Sequence, residues 1–242
     1  MGTKWKLFVL LFLIAVCFTY KVVYAQEKTN KTDMPLTEIK YSPEAKALEN
    51  LILAEQLAKY GRETNTVVAL ITAIKIVVNT PTSKLKAKKI SSSIDSLNIV
   101  HTEKPLPSKL NSINLPTLIN DAKIMAKGDT NMLKLIEKAI IEDDDRGALG
   151  GPSYKEDRVL PKSQDTYEIL MKSKEIAIVY VSGDGTTNLD LYVYDENNNL
   201  VAFDDKPTDE CLVKFVPERA AKFKVSIKNK GHYFNDYVLK TN

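Results

Sequence analysis

The spacing of apolar residues changes partway along this chain. Up to about residue 142 they return at three- and four-residue steps, and from Thr166 onward they alternate. The first spacing lines one side of a helix; the second lines one face of a strand. A segment patterned for one does not settle as the other. The expected class is therefore α+β with two domains. An irregular helical bundle over residues 43–142 precedes a linker over 143–165 and a seven-strand antiparallel β-sandwich over 166–242.

Helices are expected where start and stop residues bracket the apolar stripe. Pro43 suits a first turn, Leu48, Leu51, Ile52, Glu55 and Ala58 make the stripe, and Gly61 is expected to stop the helix after Tyr60. Val67 to Val78 is rich in β-branched residues, but its length and the preceding turn favour a helix. Thr82 or Ser83 is expected to cap a third helix with Leu85, Ile90, Ile94 and Leu97 inward. Pro105, Pro107 and Pro116 mark a loop over 101–116, followed by short helices at 116–127 and 131–142. The hairpin 44–60 with 65–79 resembles one tetratricopeptide unit. Such repeats need about three units for stability, and no second copy is evident, so an irregular bundle of five helices is the reading adopted.

Asp143-Asp144-Asp145 and the glycines at 147, 150 and 151 end the helical pattern. The strands expected beyond are 166–171, 175–182, 189–194, 199–203, 211–216, 222–228 and 235–240. In the sixth, Phe223, Val225 and Ile227 point in, and Lys222, Lys224 and Lys228 point out. Asn197-Asn198 suits a hairpin turn, because Asn tolerates positive φ.

The N-terminus bounds where the protein works. Lys4 and Lys6 precede the twelve-residue apolar run Leu7–Phe18, and Val23-Tyr24-Ala25 suits a cleavage site. This is the order of a signal peptide over residues 1–25, with Gln26 as mature start. The run is shorter than the ~20 residues of a membrane span. A lipoprotein signal ending at Cys17 and an uncleaved N-terminal anchor are the alternatives. The protein is accordingly expected to be secreted or periplasmic, with no membrane span after cleavage. Residues 26–42 read as a flexible leader; within it Asn30-Lys31-Thr32 is formally a glycosylation sequon, although the short lysine-rich start looks bacterial.

The formal net charge of +3 comes from Lys4, Lys6 and Lys21, so residues 26–242 balance at 31 basic and 31 acidic side chains. Nucleic-acid binding calls for a concentrated basic face, and none is evident. Cys17 leaves with the signal, so Cys211 is the remaining thiol and no internal disulfide can form. Its neighbours Asp209 and Glu210 disfavour a thiolate, so it reads as a small buried hydrophobe.

Several runs are familiar together. They are Gly183-Asp184-Gly185, Leu189-Asp190-Leu191-Tyr192-Val193-Tyr194-Asp195, Asn199-Leu200-Val201-Ala202, Asp204-Asp205, the Phe223-x-Val225-x-Ile227-x-Asn229 alternation, and the last run from Asn235 to Asn242. Over roughly 165–242 the chain resembles the bacterial pre-peptidase C-terminal domain. The resemblance implies an exported jelly-roll β-sandwich, accessory to enzymes, with calcium or a matrix polymer as the ligand of some members. Thr186, Thr187 and Asn188 stand where that family often carries further acids, and Ala221 replaces a usual turn glycine.

Calcium needs six to eight oxygens from clustered carboxylates and carbonyls. The candidate ligands are Asp184, Asp190, Asp204 and Asp205; Asp195 and Asp209 lie in neighbouring loops. The aromatics Tyr192, Tyr194, Phe203, Tyr233, Phe234 and Tyr237 offer either core packing or a platform for sugar or peptide. No nucleophile elbow, zinc-protease helix or phosphate loop is present, and His101 and His232 fall in different domains. The preferred reading is an exported, non-enzymatic binding or accessory protein, whose partner is a protein or an extracellular polymer. The alternative is an envelope hydrolase with a carboxylate site between the domains, drawing on Glu55, Glu63 or Asp95.

Overall fold

The structure, a computed structural model, describes residues 29–33, 39–94, 114–141 and 151–242. The expected signal peptide, Asp95, His101, the Pro-rich segment and the Asp143–Asp145 run lie outside them. Among the described residues there are four helices and ten strands.

Helix α1 spans Pro43–Thr64 and α2 spans Val67–Val78. The Ser42 hydroxyl accepts the Ala45 amide at 3.1 Å, satisfying one of the free N–H groups of the first turn. Gly61 does not stop α1. It is buried, and a Cβ there would meet Leu70 at 3.0 Å, so its missing side chain lets α2 approach closely. The stop is Asn65, in the left-handed region at φ 53°. Helices α3 (Leu115–Ala126) and α4 (Thr130–Ile140) lie near the expected bounds. Asn114 and Asp129 cap them. Ala54, Ala58, Leu70, Ala73, Ile74, Leu118, Ala122 and Ile136 form the helical core.

The third expected helix is absent. Residues 83–84 are strand β1 and 89–93 strand β2. From Lys84 to Lys89 the pattern already alternates, with Leu85 and Ala87 packed toward the sandwich core and Lys84, Lys86 and Lys88 exposed. Three consecutive serines at 91–93 are also poor support for a helix. The expected linker likewise carries β3 (Ser153–Val159) and the start of β4 (Ser163–Met171). The remaining strands are β5 (Ala177–Gly183), β6 (Leu189–Tyr194), β7 (Leu200–Asp204), β8 (Glu210–Phe215), β9 (Ala221–Asn229) and β10 (Asn235–Thr241). All seven expected strands are present, within three residues at each end. Ten strands in two five-stranded sheets replace the expected seven.

One sheet runs β1-β3-β10-β5-β8 and the other β2-β4-β9-β6-β7. Their pairings are antiparallel except β1 with β3. The inner faces meet in a core that includes Tyr167, Val179, Val181, Leu189, Leu191, Val193, Phe223, Val225, Ile227 and Leu239. Burying each such side chain contributes about 1.5–3 kcal/mol. The segment 83–93 straps one open edge, extending both sheets. Beneath it Lys89 pairs with Asp157, the Tyr167 hydroxyl donates to Asp157 at 3.0 Å, and the Tyr237 hydroxyl donates to Asp165 at 2.9 Å.

The two sheets differ on their outer faces. Helix α1 covers the first through Ala45, Leu48 and Ile52 against Ile178 and Tyr180. Strand β5 is therefore buried on both sides, which explains its continuous apolar run. Lys240 and the Tyr180 hydroxyl both bind the Glu55 carboxylate in this interface, the latter at 2.7 Å. At the far end of the sandwich the segment 29–33 is fastened down. Asn30 is fully buried; its backbone amide donates to Asp195 at 2.9 Å, and its side chain exchanges hydrogen bonds with the Arg219 backbone and donates to the Glu196 carboxylate.

Candidate functional site

Among the described residues the outer face of the second sheet gathers the exposed Phe203 and Leu200 beside the half-buried Tyr192 and Tyr194. On β6 the sequence Leu-Asp-Leu-Tyr-Val-Tyr sends Leu189, Leu191 and Val193 into the core and Tyr192 and Tyr194 outward. Strand β7 reaches the same face by an irregular route. Leu200 and Phe203 are three residues apart, so strict alternation would put them on opposite faces. A register shift opposite Val193 and Tyr194 absorbs one residue, pairing Tyr194 with Leu200 and Tyr192 with Phe203. Such a bulge re-aims side chains. Phe203 is consequently 55% exposed and Leu200 44%.

The result is a row of three rings. Tyr192 lies 6.2 Å from Phe203 with planes 13° apart, and 6.5 Å from Tyr194 with planes 22° apart. Strand β9 runs beside it. Phe223, Val225 and Ile227 point in, so Lys222, Lys224 and Lys228 flank the rings as the alternation requires. The Lys228 ammonium sits 4.2 Å from the Tyr192 centroid, a cation–π contact. Lys224 donates to the Asn198 side-chain oxygen at 2.6 Å, and Asn198 holds the β6–β7 turn at φ 64°. Lys222 approaches Glu168 at 3.9 Å, and Lys230 meets the buried Asp190 at 2.5 Å. Partial burial, helped by the Asp190 charge, moves the Tyr192 hydroxyl upward.

The four carboxylates considered for calcium occupy separate settings. Asp184 is fully buried; it accepts the Thr186 amide at 3.0 Å, the Thr186 hydroxyl at 2.5 Å and the Asp236 amide at 3.0 Å. Asp190 accepts Asn188 at 3.1 Å and faces Lys230. Asp204 accepts the Leu212 amide at 3.0 Å, with Lys206 at 3.4 Å. Asp205 is exposed. Among the described residues no three His, Cys, Asp or Glu side chains stand close enough to share an ion. Thr186 and Asn188 are donors here, Thr186 to Asp184 and Asn188 to one oxygen of Asp190.

Asp195, a loop acid in the sequence, is heavily bonded in the sandwich. It is fully buried and accepts the amides of Asn30, Asn197 and Asn199 and the Asn199 side chain. Burial alone would raise it; the amide donors outweigh that and hold it below the usual carboxylate range. Cys211 is 1% exposed within the core, and burial, reinforced by Asp204 and Asp190, pushes its thiol up to about 12. It packs as the small hydrophobe expected.

Between helix and sheet, Glu55 is saturated by Lys240 and Tyr180. The cleft beside it, bounded by Gln56, Lys59, Arg62 and Glu210, holds about 10 Å³, room for one water. Glu63 is exposed, and His232 lies in the turn before β10. Of the remaining aromatics, Tyr237 is core and Phe234 lies under the Arg158 guanidinium at 3.9 Å. No described helix is long and apolar enough to cross a membrane.

The chain matches no family model and no curated protein; the tetratricopeptide-like hairpin therefore has no family support. Among solved structures it is similar to the pre-peptidase C-terminal domain of a collagenase from Bacillus anthracis. That similarity has 12% identity and a TM-score of 0.34, covering 37% of this chain and 88% of that one. It is also similar to PliG, a periplasmic inhibitor of g-type lysozyme from Aeromonas hydrophila, at 9% identity and a TM-score of 0.30, covering 38% and 84%. The first is the family that residues 165–242 resemble in sequence, but likeness at this level establishes neither membership nor function.

Proposed function

We propose that this chain is an exported, non-enzymatic binding protein that holds an extracellular polymer on the outer face of its second sheet. The observation that carries the reading is the Tyr194–Tyr192–Phe203 row, its tyrosines turned outward by the alternation of β6 and its Phe203 exposed among the described residues. Rings presented in a row offer successive contacts to an extended, repeating ligand. Each aromatic contact contributes a fraction of a kcal/mol to about 1.5 kcal/mol beyond its buried area, so several together are needed for useful affinity. The signal-peptide order of residues 1–25 supports export.

The test is mobility of residues 26–242 in native gels cast with soluble polysaccharides or gelatin. Retardation by one of these polymers is expected, reduced at least tenfold in affinity by Tyr192→Ala combined with Phe203→Ala. Both side chains lie outside the core, so the thermal midpoint of the double variant should stay near that of the parent. Retardation by none of the polymers, or equal retardation of the double variant, would sink the proposal.

A further inference from the structure

We infer that the polymer taken by this face is an anionic polysaccharide, one carrying carboxylates along its chain; the inference rests on the binding face just proposed. The argument is about charge. Four lysines surround the ring row. Two have carboxylate partners, Lys222 with Glu168 and Lys230 with Asp190. The other two make their closest contacts with neutral groups, Lys228 over the face of Tyr192 and Lys224 on the amide oxygen of Asn198, although Asp190 stands across the sheet from Lys228 and Glu168 from Lys224.

Their placement is regular. Lys224 pairs across the sheet with Tyr194, Ser226 with Tyr192, and Lys228 with Asp190. At about 3.4 Å per residue of antiparallel strand, Lys224 and Lys228 stand roughly 14 Å apart on one side of the rings. A neutral chain lying over the rings would strip water from both ammonium groups and return only uncharged hydroxyl acceptors. A chain with acid groups returns a charge-assisted hydrogen bond at each. The rings pack against the apolar faces of sugars, and the Tyr192 and Tyr194 hydroxyls can hydrogen-bond at the edges. Residues 26–242 are balanced in charge overall, so the cations matter locally, at this row, and not as a general basic surface.

The experiment compares gels containing polygalacturonate or alginate with gels containing dextran or hydroxyethyl cellulose, using residues 26–242. Retardation is expected in the uronate polymers and not in the neutral ones. It should weaken at least tenfold in 0.5 M salt, where screening shortens to a few ångströms, and at least tenfold in Lys224→Gln combined with Lys228→Gln. Equal retardation in neutral polymers, indifferent to salt and to the lysine pair but lost in the Tyr192→Ala and Phe203→Ala variant, would overturn the anionic ligand and leave the binding face standing. Retardation in no polysaccharide gel, with sedimentation on phosphatidylserine vesicles instead, would overturn it in favour of a membrane surface. Thermal melts of the lysine variant, expected to match the parent, separate lost binding from lost folding.

Discussion

Asp195 shows how one carboxylate ties the chain's beginning to its sandwich. The Asn30 amide reaches it from the N-terminal segment, and the Asn197 and Asn199 amides reach it from its own turn. Those donors hold its carboxyl below the ordinary value despite burial. The unfolded chain, with an ordinary carboxyl near pH 3.9, therefore takes up the proton first as pH falls. The stabilisation is fully present above that ordinary value and is lost as pH drops through the lower folded value. Asp195→Asn is expected to lower stability at pH 7 by about 1–3 kcal/mol. The gap between variant and parent should narrow below about pH 4, read from urea midpoints across a pH series. An unchanged gap down to pH 2 would contradict the assignment. The sequence exposed the turn, through Asn197-Asn198, but not the carboxylate's role, because its decisive donor lies 165 residues away.

At the scale of elements, legibility followed local period. Strand β6 and helix α2 were readable because each carries its own pattern over its whole length. The strap 83–93 invites a helical reading because Ile90, Ile94 and Leu97 stand at four- and three-residue steps. What decides the matter is the pair of sheet edges it completes, one formed by β3 and one by β4, and those are contributed by residues some 70 positions later. The bulge that turns Phe203 outward was hidden for the same reason, since a register shift belongs to a pair of strands. The docking of α1 supplies a prediction at this scale. Glu55 and Lys240 are a buried ion pair closed by Tyr180. Removing one member strands a charge and costs about 3–5 kcal/mol, while replacing both with apolar residues is often near neutral. Glu55→Leu alone should therefore lower the thermal midpoint markedly, and adding Lys240→Met should recover most of the loss. Failure of the second change to recover any stability would show that the pair is not coupled as described.

The molecule as a whole is less divisible than its sequence implies. The change of period at Thr166 marks a change of local structure, yet the sandwich draws β1 and β2 from the middle of the chain and β3 from just ahead of that point. Strand β3 pairs with β10 along seven residues. A fragment of residues 166–242 would begin inside β4 and leave β10 and β4 as unpaired edges, which invite association between chains. It is expected to be aggregated or unfolded by size-exclusion chromatography and circular dichroism, whereas residues 26–242 should melt in one cooperative transition. A monomeric 166–242 fragment with a cooperative melt would refute this.

The buried Asn30 has a consequence for anyone making this protein in a eukaryotic secretory pathway. Asn30-Lys31-Thr32 would be offered to the glycosylation machinery while the nascent chain is still extended. At that stage Asp195, Glu196 and Arg219 have not yet been synthesised. A sugar attached then would occupy the nitrogen that the finished protein gives to Glu196 and to the Arg219 carbonyl, and the fully enclosed site has no room for it. Material from such a host would carry its N-terminal segment undocked, and Thr32→Ala, which abolishes the acceptor while keeping Asn30, is the form to express there.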